Sequence, residues 1–360
     1  MQHRLAICSG IFLLMALSNA VVPVLDIFAD GAALQGLVFS AYFFGAMLTV
    51  LPAGIAADRF SRSHLMQVGL AGSLLTGLVI AMAPSVTVII GARLVEGVAT
   101  GIFVSAGLAY VNSRPDDGRS SGAFMASLNA GLLAGLVLTG VLVEQTGLRD
   151  AGVLAFTSLA VIPFVLSFSL RDEAAPSRDQ SLDRLVPMLR QYRWLFYASV
   201  IMFGVGGAIT GLYPDFSSAD PGWLGVQIAL QNVATILAVM IVSRLSFEPI
   251  PLIRVCSVVM ALAVCVSFVT PYGFTLIGAA SGAVQLATLV FLSRTGEPSG
   301  LAAGLFSTAS YAGMALLPTL STSAAHWYGY PVVFASLVLI SLSVAFTIRR
   351  CTRCRLACMQ

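Results

Sequence analysis

The sequence contains no lysine and few charged residues of any kind. Its nineteen Lys and Arg positions are all arginine, and charged residues make up only 10% of the 360 residues. Because soluble domains are about a quarter charged, this composition excludes an ordinary soluble protein. The net charge of +3 is spread along the chain and forms no single basic face, so we expect no nucleic acid partner.

The chain also lacks the residue patterns of common active sites. There is no phosphate-binding P-loop, and its three histidines and six cysteines form no Ser/His or His/Cys constellation. We therefore expect no enzyme, no catalytic residues, no direct use of ATP, no metal site and no cofactor. Cys351, Cys354 and Cys358 in the tail lack a fourth ligand, which leaves an incidental tail, lipidation or a weak metal site as interpretations.

Apolar residues, in contrast, dominate the sequence. They make up 58% of it, with a mean hydropathy of +0.92. The apolar runs repeatedly reach the roughly 20 residues that cross a ~30 Å hydrocarbon core. We predict an all-α integral membrane protein with twelve transmembrane helices, near 5–26, 33–57, 64–83, 86–110, 121–143, 151–170, 193–213, 222–243, 252–270, 272–293, 300–322 and 330–348.

The arginines indicate how these spans are oriented. All but Arg149 and the intramembrane Arg93 fall on one side of the predicted membrane, whereas acidic residues gather on the other. That second group consists of Asp26, Asp30, Glu144, Asp150, Asp215 and Asp220. The positive-inside rule then predicts cytoplasmic N- and C-termini. We expect the inner membrane of a bacterium.

The two halves of the chain repeat each other. Residues 122–131 resemble residues 304–313, at a separation of about half the chain length. We predict a first bundle over 1–170, a linker over 171–192, a second bundle over 193–348 and a tail over 349–360. The linker is either a solvated tether or, from Leu182 to Tyr192, an amphipathic helix on the inner surface.

A short polar segment between the second and third spans carries the clearest motif. Gly54, Asp58, Arg59 and Arg62 stand at the spacing G-x3-D-R-x2-R, and this segment resembles the loop signature of the major facilitator superfamily (MFS). The resemblance implies two pseudo-symmetric six-helix bundles and a cytoplasmic gate formed by these four residues. Ser61 replaces the glycine usual in the family, and a plain turn that obeys the positive-inside rule is the alternative.

Two ionisable residues lie inside the fourth predicted span. The segment from Gly91 to Gly101 resembles the second motif of the family, with its buried arginine. Arg93 and Glu96 are three positions apart and share a helix face. Charges at such depth are costly and usually face a cavity or a partner. Glu96 either carries a coupling proton or forms a permanent structural ion pair with Arg93.

The fifth span partly matches a glycine pattern that resembles that of MFS exporters. Glycines in membrane helices allow close helix packing, so the match indicates either export or packing alone. The residues concerned, with their counterparts in the second half, are Gly122, Gly131, Gly135, Gly140, Gly313 and Pro318.

Further polar residues at mid-depth are candidates for a substrate cavity, because polar side chains in hydrocarbon need partners and tend to face inward. They are Asn19, Tyr42, Asn129, Gln231, Asn232, Gln285 and Tyr311. Interhelical hydrogen bonding is the other interpretation of each. With the resemblance, this set predicts a monomeric secondary transporter that exports a small organic solute, driven by a proton gradient. An importer or uniporter is the alternative, and a membrane receptor without transport activity is a remote one.

Overall fold

The protein is a bundle of long helices. The structure is a computed structural model that describes residues 2–57, 60–112, 119–170, 182–217, 219–295, 297 and 299–350. Within these ranges there is no β-strand. The long helices are α1 (Gln2–Ala20), α2 (Ala32–Ala57), α3 (Arg62–Ala81), α4 (Val86–Asn112), α5 (Arg119–Thr146), α6 (Ala151–Ser167), α7 (Arg193–Phe216), α8 (Pro221–Val242), α9 (Pro249–Val269), α10 (Gly273–Ser293), α11 (Ser299–Tyr328) and α12 (Tyr330–Thr347).

Each of the twelve predicted spans corresponds to one of these helices. Eleven are long and apolar enough to cross a membrane, and α6 is a shorter apolar helix. The largest differences between the predicted spans and the observed helices are at the helix ends. The first helix ends at Ala20 and continues as a 3-10 turn with Pro23 at its start, followed by a four-residue helix. α11 extends to Tyr328 and ends there, because the next residue, Gly329, has a φ of 78°.

The same packing scheme occurs in both halves. In the first half α1 packs on α5, α2 on α4, and α3 on both α4 and α6. In the second half the equivalent helices pair in the same way: α7 with α11, α8 with α10, and α9 with both α10 and α12. The sequence repeat therefore corresponds to a repeated helix arrangement.

Glycines carry the equivalent contacts in the two halves. A Cβ added at Gly131 would clash with the Phe12 carbonyl of α1, and one added at Gly313 would clash with the Val200 carbonyl of α7. Pro318, one turn beyond Gly313, packs against the glycine face of α7. In each half, a glycine on the fifth helix lets the first helix approach backbone to backbone.

The halves meet mainly along two helix pairs, α2 with α11 and α5 with α8. We call the end that carries most arginines the basic end and the other the acidic end. At the acidic end Gly140 of α5 abuts Gly222 of α8, and Gly36 of α2 abuts Thr322 of α11. Toward the basic end of α5, Gly122 has no described atom within 4 Å of an added Cβ. The α5–α8 contact is thus tight at the acidic end.

The linker ends in a short helix against the second half. Residues 182–184 form a 3-10 turn and Leu185–Gln191 an α-helix, which agrees with the amphipathic alternative. Met188 and Tyr192 are buried in the main core, and Val186 is 69% exposed. Cys351, Cys354 and Cys358 lie outside the described residues.

Candidate transport site

Close packing of α2 on α4 fixes the position of the two buried charges. A Cβ at Gly97 would overlap the Tyr42 carbonyl, and one at Gly45 would overlap the Leu94 carbonyl. One turn further along α4, an added Cβ at Gly101 would overlap the Thr49 side chain. Because glycine occupies all three crossing points, the Tyr42 side chain can reach the polar face of α4.

Arg93 and Glu96 form an ion pair inside the membrane-spanning region. An Arg93 terminal nitrogen lies 2.7 Å from a Glu96 carboxylate oxygen, and each side chain is only 1% exposed. The guanidinium carbon of Arg93 also lies 4.7 Å from the centre of the Tyr42 ring. The ring face adds a favourable cation–π interaction to the pair. Arg93 and Glu96 therefore share a helix face, and the Tyr42 ring lies beside them.

The pair leaves hydrogen-bonding capacity unused. Arg93 Nε and Glu96 Oε1 are buried and have no hydrogen-bond partner among the described residues, and neither has the hydroxyl of Thr100, one turn along α4. Buried polar groups are normally satisfied, so unpaired ones mark strain, function or a bound water or ion. The Arg93 N–H is free to donate a hydrogen bond to a polar solute, and Glu96 Oε1 and the Thr100 hydroxyl are free to accept a hydrogen bond from one.

Aromatic side chains connect this site to the opposite half. The ring centres of Tyr42 and Phe43 are 5.0 Å apart in an edge-to-face arrangement, and those of Phe43 and Tyr311 are 6.1 Å apart. Since Phe43 lies on α2 and Tyr311 on α11, the contact crosses the seam between the halves. Phe43 therefore lies between Tyr42 and Tyr311, another candidate cavity residue, and contacts both rings.

A second polar cluster lies in the other half, among α7, α8 and α10. Thr210 donates to Gln231 Oε1 at 3.2 Å, and a Cβ at Gly206 would lie 3.5 Å from Gln231 Nε2 and 3.8 Å from the Ser281 hydroxyl. Gly206 therefore leaves space beside the Gln231 amide. Thr210, Ser281 and Thr100 are functional candidates that the sequence argument missed, since single hydroxyls are common in membrane helices.

The other predicted cavity residues differ in their roles. Asn19 donates to the Leu132 carbonyl at 3.1 Å, so it ties α1 to α5, which agrees with the interhelical alternative. Asn129 bonds its own helix at the Met125 carbonyl. Asn232 and Gln285 are partly buried, and no hydrogen bond to either occurs within the described ranges.

Asp215 joins the two halves at the acidic end. One of its oxygens accepts a hydrogen bond from Gln35 of α2 at 3.4 Å, and the other accepts one from the Tyr330 hydroxyl of α12. Gln35 also donates to the Ala29 carbonyl at 3.2 Å. Asp215 lies at the end of α7, so a single carboxylate links three helices from both halves.

A second carboxylate, from the first half, accepts a hydrogen bond from the second half. Glu144, near the end of α5, accepts a hydrogen bond of 3.1 Å from the Gly222 backbone N–H in the first turn of α8. A negative charge is favourable at a helix N-terminus. The acidic end is thus closed by one carboxylate from each half bound to a neutral donor of the other, a feature the sequence argument did not predict.

The loop motif at the basic end is only partly described. Asp58 and Arg59 lie outside the described residues. Arg62 donates to the carbonyls of Ala57 and Ala109, each at 3.1 Å, which connects α2 and α4 within the first half. An added Cβ at Gly54 would have no described atom within 4 Å, and the same is true of Gly122, so neither glycine makes a close helix contact with the described residues in this conformation.

Two six-helix repeats that meet over buried charges and aromatic residues define a class of membrane transporter fold. The family model of the Major Facilitator Superfamily matches residues 6–318. The chain therefore belongs to the Major Facilitator Superfamily, a family of transporters and not of enzymes.

Two curated relatives match a limited part of the chain. The MFS-type transporter ppzB of Metarhizium majus is 30% identical over 114 residues, 31% of this chain and 25% of that protein. A triacylglyceride transporter of Mycolicibacterium smegmatis is 33% identical over 118 residues, 30% of this chain and 21% of that protein. The matched region thus spans a quarter or less of the length of these relatives.

Solved structures agree with the fold over the whole chain. The nucleoside transporter NupG has a TM-score of 0.76 at 14% identity, and the alignment covers 98% of this chain and 99% of that chain. A bacterial homologue of the human lysosomal transporter Spinster, in an inward-facing and unoccupied conformation, has a TM-score of 0.77 at 13% identity, covering 98% and 97%. At such identities the likeness shows the fold alone.

Proposed function

We propose that this protein is a secondary active transporter that exports a small organic solute across the inner membrane of a bacterium in exchange for protons. It acts as a monomer by alternating access, with the basic end in the cytoplasm. We place the solute site between the halves, with Tyr42 contributed by the first half and Tyr311 and Gln231 by the second. Aromatic and amide groups of this kind suit a neutral, weakly charged or zwitterionic molecule.

The buried Arg93–Glu96 pair is the observation that carries the proposal. A charged pair costs free energy in hydrocarbon, and its retention there favours a functional role over a purely structural one. Glu96 Oε1 has no partner among the described residues, so it can take up a proton when solute or helix movement weakens the bond to Arg93. Proton binding and solute binding then compete at one site.

Contacts between the halves at the acidic end support a conformation that is closed at this end and open toward the basic end. Contacts of Gly140, Glu144 and Asp215 hold the halves together there. In this state the cavity would receive solute from the basic end, which we place in the cytoplasm. Rocking of one half against the other then exposes the same site to the acidic side.

Flux measurements on purified protein in proteoliposomes test the proposal. A thermal-shift screen against metabolites and drugs first selects a solute that binds. We expect a proton gradient to drive that solute in the direction opposite to proton movement. We expect Glu96→Gln to abolish gradient-driven accumulation while solute counterflow continues.

The matched control is Glu248→Gln, which alters an exposed carboxylate at the start of α9. It should leave both activities unchanged. If the solute instead moves in the same direction as the protons, the protein is an importer and the export proposal is rejected. Gradient-driven flux that survives Glu96→Gln would reject Glu96 as the coupling acid.

A further inference from the structure

A tryptophan at the basic end brings together two arginines that are far apart in sequence. The guanidinium carbon of Arg193 lies 5.3 Å from the centre of the Trp194 ring, and that of Arg350 lies 5.1 Å from it. Arg193 begins α7, whereas Arg350 follows the end of α12. Both distances fall within the usual range of a cation–π contact.

Within the described ranges these arginines have no acidic partner. Arg190, Arg193 and Arg350 are exposed, and none forms an ion pair with any residue the structure describes. Nearby Arg184, in contrast, lies 3.9 Å from Glu297. Two cations on one indole ring repel each other, so an anion between them would relieve the repulsion.

An apolar surface adjoins the three arginines. Arg190 lies one turn before Arg193, on the short helix Leu185–Gln191. Val186 on that helix is 69% exposed and Leu189 39% exposed, although both are apolar. A crevice of about 430 Å³ is lined by Val186, Pro187, Arg190 and Gln191. The surface thus offers positive charge and apolar contact side by side.

We propose that the surface formed by Arg190, Arg193, Trp194 and Arg350, which we call the Trp194 platform, binds the headgroup of an anionic phospholipid. The phosphate lies between the guanidinium groups, which are suited to phosphate oxygens. The glycerol and upper acyl region lies against the apolar side chains of the short helix. Trp194 occupies the headgroup level, where tryptophan is enriched in membrane proteins.

Charge complementarity and location favour a lipid over a free anion. Basic residues beside a membrane surface attract anionic lipids, and a soluble phosphate would make no use of the adjoining apolar crevice. A lipid bound here would also connect α7, α12 and the linker helix, which are separate segments of the chain.

The experiment compares thermal unfolding of the full chain in micelles supplemented with phosphatidylglycerol, with phosphatidylcholine or with inorganic phosphate. We expect phosphatidylglycerol to raise Tm by several degrees more than phosphatidylcholine, and inorganic phosphate to have little effect. The double variant Arg193→Gln/Arg350→Gln should lose at least half of that difference. Arg244→Gln/Arg254→Gln removes the same charge from exposed arginines elsewhere at the basic end and should retain it.

Lipid retention in native mass spectrometry gives a second readout that does not depend on thermal stability. The single variant Arg350→Gln, at an exposed position after α12, should retain fewer phosphatidylglycerol molecules than wild type. Equal Tm shifts with both lipids, equal stabilisation by phosphate alone, or equal losses in the two double variants would each overturn the proposal. None of these readouts involves transport, so the result is independent of the proposed function.

Discussion

Single glycines determine where the buried charges can lie. Gly97 is the closest point between α4 and α2, where the Tyr42 carbonyl occupies the space that a side chain would need. The same approach places the Tyr42 ring over Arg93 at 4.7 Å. At the scale of the residue, the geometry of the ion pair thus depends on the absence of a Cβ at Gly97, an uncharged residue directly after Glu96.

Gly97→Ala should therefore destabilise the protein and disturb the site. The added methyl group forces α2 and α4 apart, and overpacking of this kind costs about 1–3 kcal/mol. We expect a lower Tm, measured by thermal unfolding of the purified protein, and weaker solute binding. Gly91→Ala on the same helix, where an added Cβ meets nothing within 4 Å, is the control and should leave Tm almost unchanged. Equal effects at both positions would contradict the packing argument.

The sequence predicted the part of the site that one helix determines. Arg93 and Glu96 share a face because they are three residues apart, and their depth follows from the length of the apolar run. The contacts of Asp215 with Gln35 and Tyr330 depend on which helices are neighbours in space, which periodicity does not reveal. For Asn19 the sequence leaves two interpretations open, because a polar side chain in an apolar helix can be satisfied equally by a solute or by a carbonyl of the next helix.

At the scale of the helix, the acidic end is held by carboxylates bound to neutral donors. Asp215 binds an amide and a hydroxyl, and Glu144 binds a backbone N–H. Within the described residues neither forms an ion pair with an arginine. Hydrogen bonds to a charged acceptor are stronger than those between neutral groups, so loss of the charge weakens the closure.

Asp215→Asn should consequently favour opening at the acidic end. In a variant without native cysteines, Phe39→Cys provides a probe position that is buried behind this contact. We expect a membrane-impermeant maleimide to label it faster when Asp215→Asn is present, because the substitution removes the charge that strengthens the hydrogen bonds from Gln35 and Tyr330. Asp150→Asn, which alters an acidic-end residue without a side-chain capping bond, should leave the rate unchanged. Unchanged labelling in Asp215→Asn would contradict the assigned closure.

At the scale of the whole molecule, the twelve helices bring the first described residue, Gln2, and the last, Arg350, to the same end. The described arginines other than Arg93 and Arg149 lie at that same end, and the carboxylates Asp215 and Glu144 that join the halves lie at the other. The apolar runs and their flanking charges predicted this arrangement because each is a local property of the chain. The conformation of the two halves depends on contacts between them, which no local pattern encodes.

Reporter fusions test this orientation directly. A fluorescent protein fused after Gln360 should fluoresce, because the tail is placed in the cytoplasm. Alkaline phosphatase inserted at Gly147, in the turn between α5 and α6, should be active, because that turn lies at the acidic end. An insertion into the basic-end segment between α8 and α9, at Ser246, should give no phosphatase activity. The reverse pattern would invert the membrane orientation and with it the transport direction.

The glycines of α5 have a consequence for how the molecule moves. Gly135 fixes this helix against Ala16 in its own half, and five residues later Gly140 rests on Gly222 in the other. At 1.5 Å per residue, these two contacts are only about 7.5 Å apart. The boundary between the surface packed in its own half and the surface packed on the other half therefore falls within about a turn and a half of α5. Release at the acidic end must therefore part the Gly140–Gly222 contact and the neighbouring Glu144 hydrogen bond while the contact at Gly135, a short distance along the same helix, stays in place.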